Sequence, residues 1–212
     1  MIPTFSAGNF HLFCDKLIKK DKDLRRIIKE HGYPPMWIRP NTFQSLILSI
    51  LEQQVSLASA YAAYKKLKER IGYVTRQKIL SLSDKELRNC YFSRQKIVYA
   101  RELANTIVSG KINLRKLALL SDDEIRIQMI EIKGIGHWTI DVYLMHALQR
   151  TDLFPLGDIA LVNSLKEVKQ LPKDISKEEM LAIAEPWRPY RTIASMILWH
   201  DYIKKRGIKL QG

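Results

Sequence analysis

The chain has 212 residues, 46% of them hydrophobic, and a formal net charge of +13 at pH 7. This length and apolar content suit one large domain or two small lobes around a substantial core, and exclude a disordered chain. So large a positive excess costs self-repulsion, so nucleic acid is the first expected partner and an anionic membrane surface the second; a solubilising charge bias is the plain alternative. The two cysteines, Cys14 and Cys90, stand far apart without metal-ligand spacing. They point to a reducing compartment with no disulfide scaffold, and the cysteine set of an iron–sulfur cluster is missing. No apolar run approaches the ~18 residues of a membrane span. Met1 opens no charged-then-apolar targeting segment, so an intracellular protein is expected.

Nearly every segment reads as helix. Pro34-Pro35 and Arg39-Pro40 break the chain near its start. Behind Thr42, a good N-cap, Phe43, Leu46, Ile47, Ile50 and Leu51 recur at helical spacing. A polar patch, Glu52-Gln53-Gln54-Val55-Ser56, interrupts that pattern before Leu57, Tyr61, Tyr64 and Leu67 resume it. Ser83 with Glu86, and Ser121 with Glu124, are capping boxes that open two further helices. The flanking stretches 83–88 and 121–126 echo each other, either as a duplicated helix-turn-helix unit or as two uses of one capping solution. A helix is expected from near His137 to Leu148, then a break over 152–157, then helices over 159–168, 177–184 and about 190–205. The last carries Ile193, Met196, Ile197 and Ile203 on an apolar stripe. No segment shows the alternation of a strand, so the fold class is all-α.

Two stretches carry chemistry. Ile130-Glu131-Ile132-Lys133-Gly134-Ile135-Gly136-His137-Trp138-Thr139 reads as helix, tight glycine turn, helix. Such a turn presents amide N–H groups at a helix N-terminus, which suits a phosphate oxygen, with Lys133 adding charge and Thr139 a hydroxyl. The alternative is a glycine cap joining two packed helices with no ligand. Further on, Asp158 follows Phe154-Pro155-Leu156-Gly157 at the mouth of the next helix, where it serves as an N-cap whatever else it does. Trp138 and Trp199 are core anchors or aromatic walls; an indole face stabilises a cationic ligand by ~0.5–2 kcal/mol. His137, His146 and His200 are possible acids, none with a clear partner in the sequence.

Together the glycine turn and the Pro-Leu-Gly-Asp segment resemble the helix-hairpin-helix/Gly-Pro-Asp superfamily of DNA glycosylases, and within it the 3-methyladenine enzymes. The resemblance covers roughly residues 41–199. It implies two helical lobes with a cleft between them. Residues 42–150 would form a central lobe with the hairpin; 1–41 plus 151–212 would form a second lobe carrying the catalytic Asp158. The mixed β domain that precedes these lobes in longer bacterial relatives is not expected.

The resemblance further implies a base pocket of Trp138, Trp199 and Tyr143, backbone contacts from Lys133, Gly134, Gly136 and Thr139, and Gln54 as the wedge that fills the space of an extruded base. Arg94 and Lys96, in Phe92-Ser93-Arg94-Gln95-Lys96, are further phosphate contacts. Tyr91 stands where that pattern usually has glycine. Main-chain carbonyls of Ile130, Ile132 and Ile135 would hold a monovalent cation; no other cofactor is implied. Relatives that also nick the backbone carry lysine where Trp138 stands, so base release by water, leaving an abasic site, is expected. The partner is damaged double-stranded DNA, and the chain is expected to act as a monomer. Two departures are visible: proline and aspartate are spaced more widely than usual, and Val142 replaces a tyrosine four residues after Trp138. The alternatives are a glycosylase for deaminated or mismatched bases, and a non-catalytic hairpin protein that binds DNA.

Overall fold

The computed structural model describes residues 3–208. Residues 1, 2 and 209–212, the ends of the expected second lobe, lie outside the described residues. In chain order the helices are α1 (Phe10–Lys20), α2 (Lys22–His31), α3 (Phe43–Glu52), α4 (Leu57–Ile71), α5 (Arg76–Ser81), α6 (Asp84–Asn89), α7 (Arg94–Val108) and α8 (Leu114–Leu117). There follow α9 (Asp122–Ile130), α10 (His137–Val142), α11 (Ile159–Lys169), α12 (Lys177–Ala184) and α13 (Arg191–Lys205). Among the described residues no strand forms; Thr4 and Arg150 make one isolated antiparallel bridge. The fold is all-α.

The local signals act as their chemistry dictates. Thr42 accepts a hydrogen bond from Ser45 N and opens α3. Both serine–glutamate boxes form, at Ser83/Glu86 and Ser121/Glu124, and a third closes at Ser176/Glu179. The helix from His137 does not run unbroken to Leu148. Its α geometry ends at Val142 and continues as a π turn over Tyr143–Ala147, and Gln149 takes a left-handed conformation. A π turn inserts one extra residue per turn and re-aims the side chains beyond it.

The chain divides into two compact units. One is Arg39–Tyr143; the described residues of the other are 3–38 and 144–208. Both borders precede the expected 42 and 150, and side-chain and backbone bonds explain why. Arg39 grips the half-exposed end of α3 through a two-point pair with Glu52, at 2.8 and 2.6 Å. Residues after Tyr143 belong with the N-terminal segment: Phe5 N donates to Gln149 O, and His146 Nδ1 lies 2.7 Å from Trp37 O.

In the Arg39–Tyr143 unit, α3 packs against α4, α7 and α10. Its Leu46, Ile47, Ile50 and Leu51 are buried as expected, each stabilising the fold by roughly 1.5–3 kcal/mol. The apolar spacing in α4 misleads in part: Leu57 is exposed, and the buried face is Ala60, Ala63 and Leu67. Small residues there let the two helix backbones approach.

In the other unit, α13 packs against α1, α2 and α11. The expected stripe is too narrow, because every residue from Thr192 to Asp201 is buried. Neighbours surround this helix, and its polar members are bonded: Thr192 Oγ1 accepts from Leu153 N, and Ser195 Oγ donates to Arg191 O. A helix buried all round tolerates polar groups only when they are satisfied in this way.

Candidate active site and nucleic-acid interface

The glycine turn is built from below. Ile132 and Ile135 are buried and anchor it, and Ile135 N donates to Ile132 O at 2.9 Å. Gly134 has φ of +93°, and a Cβ there would lie 2.0 Å from the Tyr99 ring, so glycine is obligatory. Gly136 differs. It is exposed, its φ is −98°, and nothing in the chain lies within 4 Å of a Cβ built on it. It opens α10 with no side-chain cap, and Lys133, Gly136 and His137 are exposed there.

Thr139 does not belong to that edge. It is 2% exposed, and its hydroxyl accepts from Gln53 Nε2 at 2.9 Å. Gln53 Nε2 also donates to Gly134 O at 2.8 Å. Where a phosphate contact was expected, the Thr139 hydroxyl instead braces the turn from inside the unit. Gln53 is the residue that sequence reasoning missed. Its signal was the first glutamine of a polar patch at the end of an apolar helix.

Gln54, next in the chain, is exposed and held at φ of +57° at the tip of the turn between α3 and α4. Beside it lies a cavity of about 290 Å³ lined by Leu51, Val55, Ser59, Ala62, Ala63, Tyr91 and Lys96. Burial holds the Lys96 ammonium below the usual lysine range, and its Nζ donates to Leu51 O at 2.6 Å. Lys96 thus caps α3 where a phosphate contact was expected, while Arg94 is exposed. Tyr143, expected as a wall of the base pocket, is 2% exposed and donates to Asn41 Oδ1 at 2.9 Å, a buried tie within its unit. Trp138 is half-buried in the first turn of α10.

The carboxylate is organised within the second unit. Pro155 is buried, and its carbonyl accepts from Asp158 N at 2.9 Å, turning the chain into α11. Asp158 Oδ1 accepts from Leu161 N at 2.8 Å and from Trp199 Nε1 at 3.0 Å. The cap geometry and the indole thus hold one carboxylate oxygen together. Trp199 stacks on His146, ring centroids 5.7 Å apart and planes 27° from parallel. Of the other histidines, His137 is exposed at the start of α10. His200 is buried, which lowers its pKa, and its Nε2 lies 3.1 Å from His31 O, tying α13 to the end of α2.

Both cysteines are free and buried. Cys14 is buried and its pKa is raised to about 12, mainly by that burial; Cys90 is raised in the same direction. The described residues hold no group of three or more His, Cys, Asp or Glu side chains suited to a metal ion, and no helix long and apolar enough to cross a membrane.

The family model of HhH-GPD superfamily base excision DNA repair proteins matches residues 47–189, from inside α3 to just short of α13. The chain belongs to that superfamily. A Bacillus subtilis relative is 33% identical over 186 residues, covering 84% of this chain and 65% of that protein; the chain thus spans slightly less than two thirds of that relative's length. DNA-3-methyladenine glycosylase 1 of Schizosaccharomyces pombe is 30% identical over 196 residues, covering 87% of this chain and 86% of that enzyme. The solved structure of the Schizosaccharomyces pombe 3-methyladenine DNA glycosylase in complex with abasic DNA superposes with a TM-score of 0.78 at 28% identity, covering 84% of this chain and 90% of that one. The matched segment contains both the hairpin and Asp158.

Proposed function

We propose that this protein is a DNA N-glycosylase of base excision repair that extrudes and hydrolyses alkylated purines of the 3-methyladenine and 7-methylguanine type. The observation that carries the reading is the Asp158 carboxylate, aimed jointly by Leu161 N and Trp199 Nε1. A plain helix cap needs no indole partner. Breaking an N-glycosidic bond develops positive charge on the sugar, and a fixed carboxylate facing it lowers the barrier. At about 4 Å and an effective dielectric near 20 the attraction reaches about 4 kcal/mol. That is roughly a thousandfold in rate. An alkylated purine is a good leaving group, so a strong general acid is not needed.

Trp138 supports release by water without strand cleavage, because an indole forms no Schiff base with the sugar. Gln54 is proposed as the wedge. Its exposed left-handed backbone places a side chain that both fills volume and hydrogen-bonds an orphaned base, against a flipping cost of a few kcal/mol. Lys133, Gly136 and the first turn of α10 are proposed to hold the DNA backbone. The space above Gly136, which the chain itself does not need, is the closeness a phosphate requires. Main-chain oxygens of Ile130, Ile132 and Ile135 are the proposed seat of a monovalent cation; Ile132 O accepts from Ile135 N at 2.9 Å, and a carbonyl oxygen has a second lone pair for an ion. The protein is proposed to act as a monomer on double-stranded DNA.

The deciding experiment incubates the protein with methylated duplex DNA, identifies the bases released and tests for strand cleavage without added alkali. Free 3-methyladenine and 7-methylguanine with intact strands are expected. Asp158→Asn is expected to bind the duplex normally and release bases at least about a hundredfold more slowly. An Asp158→Asn protein as fast as wild type sinks the catalytic assignment, and an imine trapped by borohydride sinks the hydrolytic one.

A further inference from the structure

We infer that His146 is a positioning residue that acts through Trp199 on the Asp158 carboxylate; the inference rests on the glycosylase reading above. Its place in the fold is unusual. His146 lies in the π turn Tyr143–Ala147, and such turns concentrate at functional sites because the inserted residue re-aims a side chain. Here the re-aimed side chain is an imidazole laid against the indole that holds the carboxylate.

Three contacts form a chain. Trp37 O lies 2.7 Å from His146 Nδ1, and a carbonyl only accepts, so Nδ1 carries the proton and the ring plane is set. Trp37 is itself presented by the proline segment, its N bonded to Pro35 O at 3.0 Å. The imidazole then stacks on Trp199 at 5.7 Å, an aromatic contact that holds the indole plane. Trp199 Nε1 finally donates to Asp158 Oδ1 at 3.0 Å.

Pinning one oxygen from two directions, by Trp199 and by Leu161 N, fixes the plane of the carboxylate and hence where its second oxygen points. Removing the imidazole leaves the carboxylate in place but frees the indole to tilt. A misplacement of about 1 Å at a catalytic group costs up to about a hundredfold in rate. Part of that loss, about tenfold, is expected for His146→Ala.

The test is a single-turnover assay of base release from methylated duplex at saturating enzyme. It compares wild type, His146→Ala, His146→Phe, Trp199→Phe, the double variant His146→Ala/Trp199→Phe, and Asp158→Asn, with DNA affinity and thermal midpoint measured for each. His146→Ala is expected to be about tenfold slower with DNA affinity within about twofold of wild type. His146→Phe keeps a flat ring on the indole but loses the bond to Trp37 O, so it is expected to recover part of the loss and lie between His146→Ala and wild type. In the Trp199→Phe background the indole N–H is already gone, so removing His146 is expected to add little.

A wild-type rate for His146→Ala overturns the inference. So does a His146→Phe as slow as His146→Ala at unchanged thermal midpoint, and so does full additivity with Trp199→Phe. If His146→Ala loses its fold, His146→Phe and the Trp199→Phe comparison decide. An inert Asp158→Asn beside a fast His146→Ala removes this inference alone. A fast Asp158→Asn removes the glycosylase reading itself.

Discussion

Gln53 shows how much a single side chain organises at the hairpin. Its amide reaches both Gly134 O and Thr139 Oγ1, so one donor group braces the turn and the first helical turn beyond it. Thr139→Val keeps the shape and deletes the acceptor. It is expected to lower stability by about 1 kcal/mol while leaving DNA affinity within about twofold at fixed salt. Denaturant unfolding and equilibrium binding check both parts; a large affinity loss at unchanged stability would return Thr139 to the phosphate edge. Lys133 is exposed and has the opposite profile. Lys133→Ala is expected to leave stability within about 0.5 kcal/mol of wild type. The slope of log K against log salt should fall by about one unit, as for one lost phosphate neutraliser. The exposure of Lys133 and the helix cap at Asp158 were legible because charge and capping are local properties. The bonds of Gln53 and Tyr143 were not, since their partners lie 81 or more positions away in the chain.

At the scale of elements, two turns invite comparison. The capping-box helices α6 and α9 each lead into a turn with a left-handed residue: Tyr91 at φ +64° after the first, Gly134 at φ +93° after the second. The echo in the sequence therefore extends to the backbone, but only one turn has glycine. Tyr91 is exposed and donates little packing, yet it bears the strain of a left-handed residue, about 1–2 kcal/mol. Tyr91→Gly relieves that strain at an unfolded-chain entropy cost of about 0.5–1 kcal/mol. A net stabilisation of about 0.5–1 kcal/mol is expected, read as a raised denaturant midpoint at unchanged slope. Gly134→Ala is expected to do the reverse and sharply, since its Cβ would overlap the Tyr99 ring. The helix starts were readable from capping residues within a single turn. The π turn was not, because the bonds that settle it come from Trp37, Phe5 and Thr4.

For the molecule as a whole, pH and charge matter most. Asp21 caps α2 and receives Lys169 Nζ at 2.7 Å and Trp187 Nε1 at 2.8 Å, tying α2 to α11 and to the turn before α13. Burial alone would raise its carboxyl, but the Lys169 and Trp187 bonds outweigh burial and lower it below the ordinary 3.8. A carboxylate depressed in the folded state stabilises the fold above the unfolded value and loses that contribution as pH falls through the folded value. Stability is therefore expected to decline as the pH drops below about 4. Asp21→Asn should be less stable at neutral pH and should flatten that decline. Urea unfolding at pH 7, 4 and 3 checks it, and parallel acid profiles for the two proteins would exclude Asp21 as the source. The net charge of +13 acts in the same range, adding self-repulsion as carboxylates are neutralised.

The amino-acid sequence alone determined the helical class, most helix starts, the hairpin and the capping carboxylate, because periodicity, caps and glycine turns are set by neighbours within a few residues. Only the tertiary structure decided which polar groups are spent inside the protein and which stay at its surface. Thr139 and Tyr143 look available in a linear reading and are buried; His146 looks unpartnered and lies against the indole that holds Asp158. Burial and hydrogen-bond partnership depend on chain segments brought together by packing, and local sequence carries no record of which distant segment arrives.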